Sequence, residues 1–315
     1  MNVTEYLQKW SVSYRDDMLG NIMPFWLKHG LDLRNGGVYT CLDRDGSLID
    51  TTKSVWFQGR FAFTCSYAYN HIEQNPEWLA AAKSTIDFIE QHCFDSDGRM
   101  FFEVTASGEP LRKRRYVFSE TFAAIAMAEY AIASGEREYA EKALKLFKDI
   151  QRFLNTPGVL EPKYWNTVQS KGHSIVMILI NTASRIRAAI ADPALDKQID
   201  DSIALLQKDF MHPEFNALLE TVGSNGEFID TINGRIINPG HCIETSWFIL
   251  EEAKYRNWDK QLTDMALTIL DWSWEWGWDK EYGGIINFRD CRNLPPQDYA
   301  PVSYTHLRAH ETRED

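Results

Sequence analysis

The chain has 315 residues with a formal charge of -12 at pH 7, and this charge argues against an electrostatic surface for nucleic acid or anionic lipid. Its five cysteines are widely spaced and include no CxxC pair, which favours free thiols in a reducing compartment over a disulfide framework. No run reaches the ~18 consecutive apolar residues of a membrane-spanning helix, and the first residues do not read as a signal peptide. We therefore expect a cytoplasmic protein with neither a membrane nor a nucleic-acid partner.

Four segments combine an acidic residue, turn residues and a short apolar strand, a pattern that predicts β-hairpin connectors. They are LDLRNGGVYTCLDRDGSLID from residue 31, FDSDGRMFFEVTASGEPL from 94, EFNALLETVGSNGEFID from 214 and WDKEYGGIINFRDCRNLP from 278. Asp32 and Asp95 are 63 residues apart. A fifth, degenerate copy is expected at 154–168, so the connectors repeat along the chain.

Two helical stretches separate successive connectors, and their patterns differ. The first is apolar or small on nearly all sides, as in TFAAIAMAEYAIA from residue 121, which predicts a buried inner helix. The second is amphipathic, which predicts an outer helix covering a surface. We expect outer helices near 5–29, 76–92, 136–153, 194–209 and 259–276, and inner helices near 54–71, 117–133, 172–190 and 241–256.

This alternation predicts two concentric layers of helices, an all-α (α/α)6 toroid with short β-hairpins at one end. Six such repeats need about 380 residues, more than the 315 residues of this chain, and the nine helices predicted above are nine of the twelve. We expect one domain over 1–298 that lacks its last helices. The segment 299–315 shows no apolar face and is expected to be a non-native or disordered tail.

Each predicted inner helix begins with a polar signal, in SVWFQGR, VFSE, SKGH and NPGH. Parallel inner helices start at the same end of the fold, so Arg60, Ser119, His173 and His241 are expected to converge on one pocket. The helix N-termini add positive potential there.

A purely structural explanation competes at each position. Ser119 suits an N-cap or a first turn, and His173 alone suits a hydrogen-bonded core histidine. His241 is harder to explain in this way, because Pro239-Gly240 forces a tight backbone before it and Glu244, at i+3, can hold its imidazole in one tautomer. The combination of these residues favours a catalytic site at the end of the fold where the inner helices start.

Other chemistries lack their motifs. No GxxxxGK[ST] or GxGxxG segment opens a helix after a strand, and neither HExxH nor CxxC is present, so we expect no cofactor and no metal centre. Cys242 lies on a different helix face from His241 and is expected in the core rather than as a nucleophile.

Five segments together resemble the N-acylglucosamine 2-epimerase family, whose relatives include cellobiose 2-epimerases and aldose-ketose isomerases. The segments are LDRDGSL, TTKSVWFQGR, YVFSETFAA, NPGHCIETSWF and WDKEYGGI. The resemblance extends over about residues 5–298, and the NPGH form is closer to the N-acylglucosamine branch. It implies an (α/α)6 barrel and a cofactor-free inversion at C2 of a reducing sugar, through the open-chain aldehyde and a cis-enediolate.

The resemblance also implies residue roles, to which the helix-start pattern adds Ser119. The expected catalytic set is His241, Glu244 and His173, and the expected substrate-binding set is Arg60, Trp56, Tyr116 and Ser119. In this set His241 moves the C2 proton, Glu244 is its partner, and His173 assists ring opening or stabilises the oxyanion. The family's second acid/base histidine belongs to a late inner helix; His306 and His310 lack its aromatic helical context.

Alternative functions stay open. An aldose-ketose isomerase returns the proton to C1 instead of C2, and a non-catalytic sugar-binding fragment keeps the pocket without the second base. A glycoside hydrolase on the same fold needs paired carboxylates at the mouth rather than histidines. The sequence leaves a nucleotide effector and a homodimer open.

Overall fold

The computed structural model describes residues 2–114, 116–160 and 168–295. The chain forms two compact units, Met1–Pro157 and Gly158–Asp315, and each is built from helical hairpins and short antiparallel strands. Residues 161–167 of the predicted connector at 154–168, and all of the predicted tail at 299–315, lie outside the described residues.

In the first unit, the helices differ in how much of their surface is buried. They are α1 (Val3–Asp17), which continues through a π-helical segment (Met18–Ile22) into α2 (Met23–His29), then α3 (Val55–His71), α4 (Pro76–His92), α5 (Phe118–Ser134) and α6 (Arg137–Asn155). Every residue of α5 from Ser119 to Ala131 is buried. In contrast, α6 buries one face that includes Tyr139, Phe147 and Ile150. The predicted difference between inner and outer helices is confirmed for this pair.

The second unit repeats the arrangement. Its helices are α7 (His173–Ala189), α8 (Pro193–Leu205), which continues into a π-helical segment (Leu206–Phe210), α9 (Pro239–Tyr255) and α10 (Lys260–Gly277). Helix α7 packs against α8 and α9, and α9 packs against α10. All nine predicted helices occur in the described residues, with ends within two residues of the prediction once the π-helical continuations are included.

Short strands connect the helices within each unit, and every strand pair is antiparallel. The strands are β1 (Cys41–Leu42), β2 (Leu48–Asp50), β3 (Lys53–Ser54), β4 (Glu103–Val104), β5 (Pro110–Arg112), β6 (Ser170–Gly172), β7 (Met211–His212), β8 (Ala217–Leu218), β9 (Thr221–Gly223), β10 (Ile236–Ile237) and β11 (Arg289–Asp290). The hairpins β1–β2 and β4–β5 confirm two predicted connectors, whereas the hairpin β7–β8 begins at Met211, before the predicted segment from 214. The sequence did not predict that β3, β6 and β10, just before inner helices, pair with β4, β9 and β11 of a following connector.

The first and last described connectors share one turn geometry, which explains their common aspartate and glycines. The backbone N–H of Asp32 donates to the Gly37 carbonyl at 3.0 Å, and that of Asp279 donates to the Gly284 carbonyl at 2.9 Å. Gly37 and Gly284 have φ of 73° and 91°, a left-handed conformation that is costly for residues with a Cβ. The first and last described connectors are therefore structural repeats, as the pattern LDxxNGGV and WDxxYGGI predicts.

A buried lysine ties two connectors of the first unit together. Lys53 is fully buried, and its Nζ donates to Asp32 Oδ2 at 2.8 Å, to the Gly36 carbonyl at 2.7 Å and to the Ala106 carbonyl at 2.9 Å. Burial alone would raise the pKa of Asp32, but the hydrogen bonds from Lys53 and Asn35 hold that pKa well below its usual range. Burial lowers the pKa of Lys53, against the attraction of Asp32.

The five cysteines all lie in the described residues and are free thiols, as the sequence predicts. Across the described ranges, no helix has both the length and the apolar character to cross a membrane.

Candidate active site

The residues that the sequence assigns to the site fall into two sets. The first unit contains Trp56, Arg60, Tyr116 and Ser119, and the second contains His173, His241 and Glu244. The convergence of both sets on one pocket concerns the two units together and stays a prediction. Each set has its own local geometry.

Trp56 and Arg60 lie on α3 beside an aromatic cluster. The Trp56 ring centroid is 5.1 Å from that of Phe102, 5.4 Å from Phe118 and 5.8 Å from Phe122. The Arg60 guanidinium lies 4.1 Å from the centre of the Phe122 ring, a cation-π contact. Phe122 therefore positions both side chains from the neighbouring α5.

Tyr116 and Ser119 differ in exposure although both are close to the start of α5. The Tyr116 residue is 43% exposed, and its ring centroid is 6.2 Å from that of Phe118. Ser119 is only 4% exposed and lies in the first turn, after an N-cap position held by Val117. The structure thus agrees with the first-turn explanation of Ser119.

His173 and His241 each begin an inner helix of the second unit. His173 is the first residue of α7 and His241 the third residue of α9. The Asn238 side chain accepts a hydrogen bond from the His241 backbone N–H at 3.1 Å and caps the helix. Helix α9 begins at Pro239, two residues before the predicted start, because the fixed φ of proline suits the first helical position.

Glu220 lies between β8 and β9 and is fixed by both of its backbone groups. Its N–H donates to the Ile236 carbonyl at 2.9 Å, and its carbonyl accepts from the His173 N–H at 2.9 Å. The connector and the start of α7 are therefore locked together at this residue. The sequence did not identify Glu220 as a site residue, although a carboxylate within the apolar run ALLETV is a signal that could have drawn attention to it.

The Glu220 carboxylate is the hydrogen-bond partner of His241 Nδ1, at 3.2 Å from Oε1 and 3.1 Å from Oε2. Burial alone would raise the pKa of Glu220, but the charge and hydrogen bond of His241, together with His173, hold it well below its usual range. An ionised carboxylate only accepts hydrogen bonds, so Nδ1 of His241 carries a proton and Nε2 is the basic nitrogen. Burial would lower the pKa of His241, but the Glu220 carboxylate outweighs this and raises it.

His173 is fully buried and is fixed by Thr245, one turn along α9 from His241. The Thr245 hydroxyl donates to the His241 carbonyl at 2.8 Å, so it accepts its 2.8 Å hydrogen bond from His173 Nε2. This assigns a proton to Nε2 of His173. The other ring nitrogen, Nδ1, lies 3.6 Å from Glu220 Oε2 and has no hydrogen-bond partner within the described ranges.

Glu244 lies three residues after His241 on α9 and is partly buried. The sequence predicted that it holds the imidazole in one tautomer; at Nδ1 this is done by Glu220, and Glu244 contributes through its charge, which raises the pKa of His241. Its predicted catalytic role stays a prediction. Cys242 is 1% exposed, its Sγ lies 3.4 Å from the Leu218 carbonyl, and burial raises its thiol pKa, which confirms the predicted core position.

The arrangement defines a class of protein. The fold consists of helical hairpins, and the imidazole of His241 lies at the start of an inner helix. Its Nδ1 is held by the Glu220 carboxylate, which leaves Nε2 in the geometry of a general base. Solved structures of the same fold include cellobiose 2-epimerase from Bacillus thermoamylovorans B4167, with a TM-score of 0.82 and 21% identity over 98% of this chain and 84% of that one. The cellobiose 2-epimerase from Spirochaeta thermophila DSM 6192 has a TM-score of 0.80 and 19% identity over 100% and 83%. The fold class is the (α/α)6 toroid, as predicted.

Sequence comparison identifies the family. The profile of N-acylglucosamine 2-epimerase (GlcNAc 2-epimerase) matches residues 37–308. The N-acylglucosamine 2-epimerase of Bos taurus is 30% identical over 88% of this chain and 68% of its own length, and that of Rattus norvegicus is 28% identical over 93% and 71%. The chain belongs to the N-acylglucosamine 2-epimerase family, and the family resemblance predicted from five segments is confirmed.

Proposed function

We propose that this protein is a sugar 2-epimerase, an isomerase that interconverts N-acylglucosamine and N-acylmannosamine. Family membership and the names of its relatives support this activity. The observation that carries the proposal is the hydrogen bond from His241 Nδ1 to the Glu220 carboxylate. It makes Nε2 the basic nitrogen of an imidazole at the start of an inner helix.

In the proposed reaction, His241 Nε2 removes the proton on C2 of the open-chain sugar. This proton is acidic because it is α to the aldehyde, and its electron pair moves into an enediolate. Glu220 stabilises the imidazolium that forms, because its negative charge lies at the opposite nitrogen. A second acid on the other face of C2 must return a proton there to give the epimer, a role that the family resemblance assigns to a histidine of a late inner helix. Only protons move and nothing is oxidised or reduced, so the reaction needs no cofactor.

His173 and Thr245 are positioning residues in this scheme. His173 is fully buried, so we assign it to orienting neighbouring side chains rather than to direct contact with the sugar. Its hydrogen bond to Thr245 Oγ1 and its contact with Glu220 fix the carboxylate relative to α9. Glu244 adds negative charge near the imidazole of His241.

For sugar binding, we assign residues of the first unit by their chemistry. The Arg60 guanidinium offers several N–H donors for sugar oxygens. Trp56 offers an aromatic face, and Tyr116, which is 43% exposed, offers a phenolic hydroxyl. Ser119 is buried in the first turn of α5, and we assign it a structural role at the start of that helix. The ligand in this proposal is a small sugar, and the free thiols suit a cytoplasmic location.

The test follows the C2 proton of N-acetylglucosamine by NMR in D2O. We expect the C2 signal to decay while the manno epimer accumulates. A His241→Asn variant should stop both, whereas His71→Asn, which changes a histidine that is 52% exposed in its side chain, should stop neither. A ketose product would identify an aldose-ketose isomerase instead, and sugar binding without any exchange of the C2 proton would identify a binding protein.

A further inference from the structure

The Glu220 carboxylate faces two imidazole nitrogens that differ in one respect. His241 Nδ1 carries a proton and donates it to the carboxylate. His173 Nδ1 is buried, lies 3.6 Å from Glu220 Oε2 and has no hydrogen-bond partner among the described residues. A buried ring nitrogen without a hydrogen-bond partner is unfavourable. A cation bound between these atoms would satisfy both.

The two separations from the Glu220 carboxylate suit a small four-coordinate ion. One donor atom from each of His173, Glu220 and His241 lies within 4.8 Å of the other two. Zinc bonds of ~2.0–2.1 Å in a tetrahedron place neighbouring donors about 3.3–3.4 Å apart. The distances from Glu220 to His241 Nδ1, 3.1 Å, and to His173 Nδ1, 3.6 Å, lie on either side of that value.

The types of ligand and their exposure to solvent also agree with binding of a small four-coordinate metal ion. Two imidazoles and a carboxylate form a donor set that zinc takes, with water at the fourth position. The side chains of Glu220 and His241 are 19% and 26% exposed, so an ion can reach them.

We propose that His173, Glu220 and His241 form a binding site for a divalent transition-metal ion, with Zn2+ the best match, and that the bound ion switches off His241 as a base. Coordination through Nδ1 of His241 requires the lone pair of that nitrogen. The proton on Nδ1 must therefore move to Nε2, and a protonated Nε2 cannot accept the C2 proton. This second half of the proposal rests on the proposed function, whereas the binding itself does not.

The site is tested first by spectroscopy on the full chain after removal of metal with a chelator. Co2+ is titrated and followed by visible absorption, and Zn2+ is titrated by calorimetry. We expect one Co2+ per chain with the intense bands of four-coordinate geometry, displaced by Zn2+. A weak six-coordinate spectrum, or near-ultraviolet bands of a cobalt-thiolate bond, would place the ion elsewhere and overturn the proposal.

Variants then locate the ion. His173→Asn and Glu220→Gln each remove a donor and should weaken Zn2+ binding by about 100-fold or more. His241→Asn changes a partly exposed ligand and provides a variant that is less prone to misfold. The control is His71→Asn, which alters another histidine-glutamate pair, with Glu129, and should leave the affinity unchanged. Wild-type affinity in all three folded ligand variants contradicts the proposal.

Activity supplies the last readout. Added Zn2+ should stop exchange of the C2 proton, and a chelator should restore it. Full exchange at saturating Zn2+ would overturn the inhibitory half. If the chain does not exchange the C2 proton at all, the Co2+ spectrum still reports the site, so failure of the proposed function is distinguishable from failure of this inference.

Discussion

Glu220 accepts the hydrogen bond of His241 Nδ1 at 3.1 Å although the two residues are 21 positions apart and belong to a connector and a helix. On the other side of the carboxylate, His173 Nδ1 lies at 3.6 Å. One charge therefore orients two imidazoles. The backbone of Glu220 is held on both sides, by Ile236 and by His173, so this orientation is built into the fold of the second unit.

Replacing Glu220 by glutamine tests this relationship. The Glu220→Gln side chain keeps its size but loses the charge that stabilises the imidazolium of His241 in the proposed reaction. We expect kcat for C2 proton exchange to fall by about 100-fold to 10,000-fold with a much smaller change in KM, because the charge acts mainly when His241 is protonated. Steady-state kinetics by NMR in D2O measures both constants.

A matched control lies in the same connector. Glu214 is 57% exposed in its side chain and bonds His212, so Glu214→Gln should retain wild-type kcat. Equal kcat values for Glu220→Gln and the wild type would mean that the carboxylate has no part in proton transfer.

Thr245 offers a second test because one hydroxyl joins both histidines, by donating to the His241 carbonyl and accepting from His173 Nε2. Thr245→Val keeps the shape and leaves a buried N–H of His173 without an acceptor. We expect it to lower the free energy of unfolding by ~1–3 kcal/mol and to lower kcat. Thr245→Ser restores the hydroxyl and should restore both quantities. Chemical denaturation and NMR kinetics give the two readouts, and a serine variant no better than valine would exclude the hydroxyl as the cause.

The helices, and the two histidines of the cluster formed by His173, Glu220 and His241, could be predicted from the sequence, for identifiable reasons. Helices of 13 to 19 residues, such as α6 and α8, show several turns of apolar spacing, so their type and ends are visible. His173 and His241 were found because each opens an inner helix.

Glu220 and the strands before the inner helices were not predicted. A strand of two or three residues, such as β10 or β6, is too short to show an alternating pattern. The partners of Glu220 lie 47 and 21 positions away along the chain, a proximity that no local pattern encodes. The sequence therefore offered the nearby Glu244 as the partner of His241.

The buried pair of Lys53 and Asp32 predicts an acid dependence of stability. The pKa of Asp32 in the folded chain lies well below its ordinary value of 3.8, so its contribution to stability is complete above that pH and declines as the pH falls below it. Asp32→Asn removes this contribution and leaves Lys53 buried without its anion. We expect a loss of ~3–5 kcal/mol at neutral pH and a smaller difference from the wild type in acid.

Urea unfolding across pH 3 to 7 measures this difference. The control is Asp87→Asn, which breaks a surface pair with Lys83 and should cost less than about 1 kcal/mol. A difference between Asp32→Asn and the wild type that stays constant down to the acid end would contradict the assignment of the depressed pKa to Asp32.

Substitution of alanine for glycine is expected to have opposite effects on stability at Gly59 and at Gly20. In α3, a Cβ at Gly59 would lie 2.6 Å from the Phe122 backbone carbon of α5, so Gly59→Ala must push two buried helices apart and should cost ~1–3 kcal/mol. At Gly20, in the exposed π-helical segment, a Cβ would meet nothing within 4 Å, and alanine should stabilise the chain by ~0.5–1 kcal/mol by restricting the unfolded state. Chemical denaturation of both variants measures the two values.

Because Phe122 also positions Trp56 and Arg60, Gly59→Ala should in addition raise KM for the sugar, whereas Gly20→Ala should not. A rise in KM for both variants would show that the effect does not come from the α3–α5 contact.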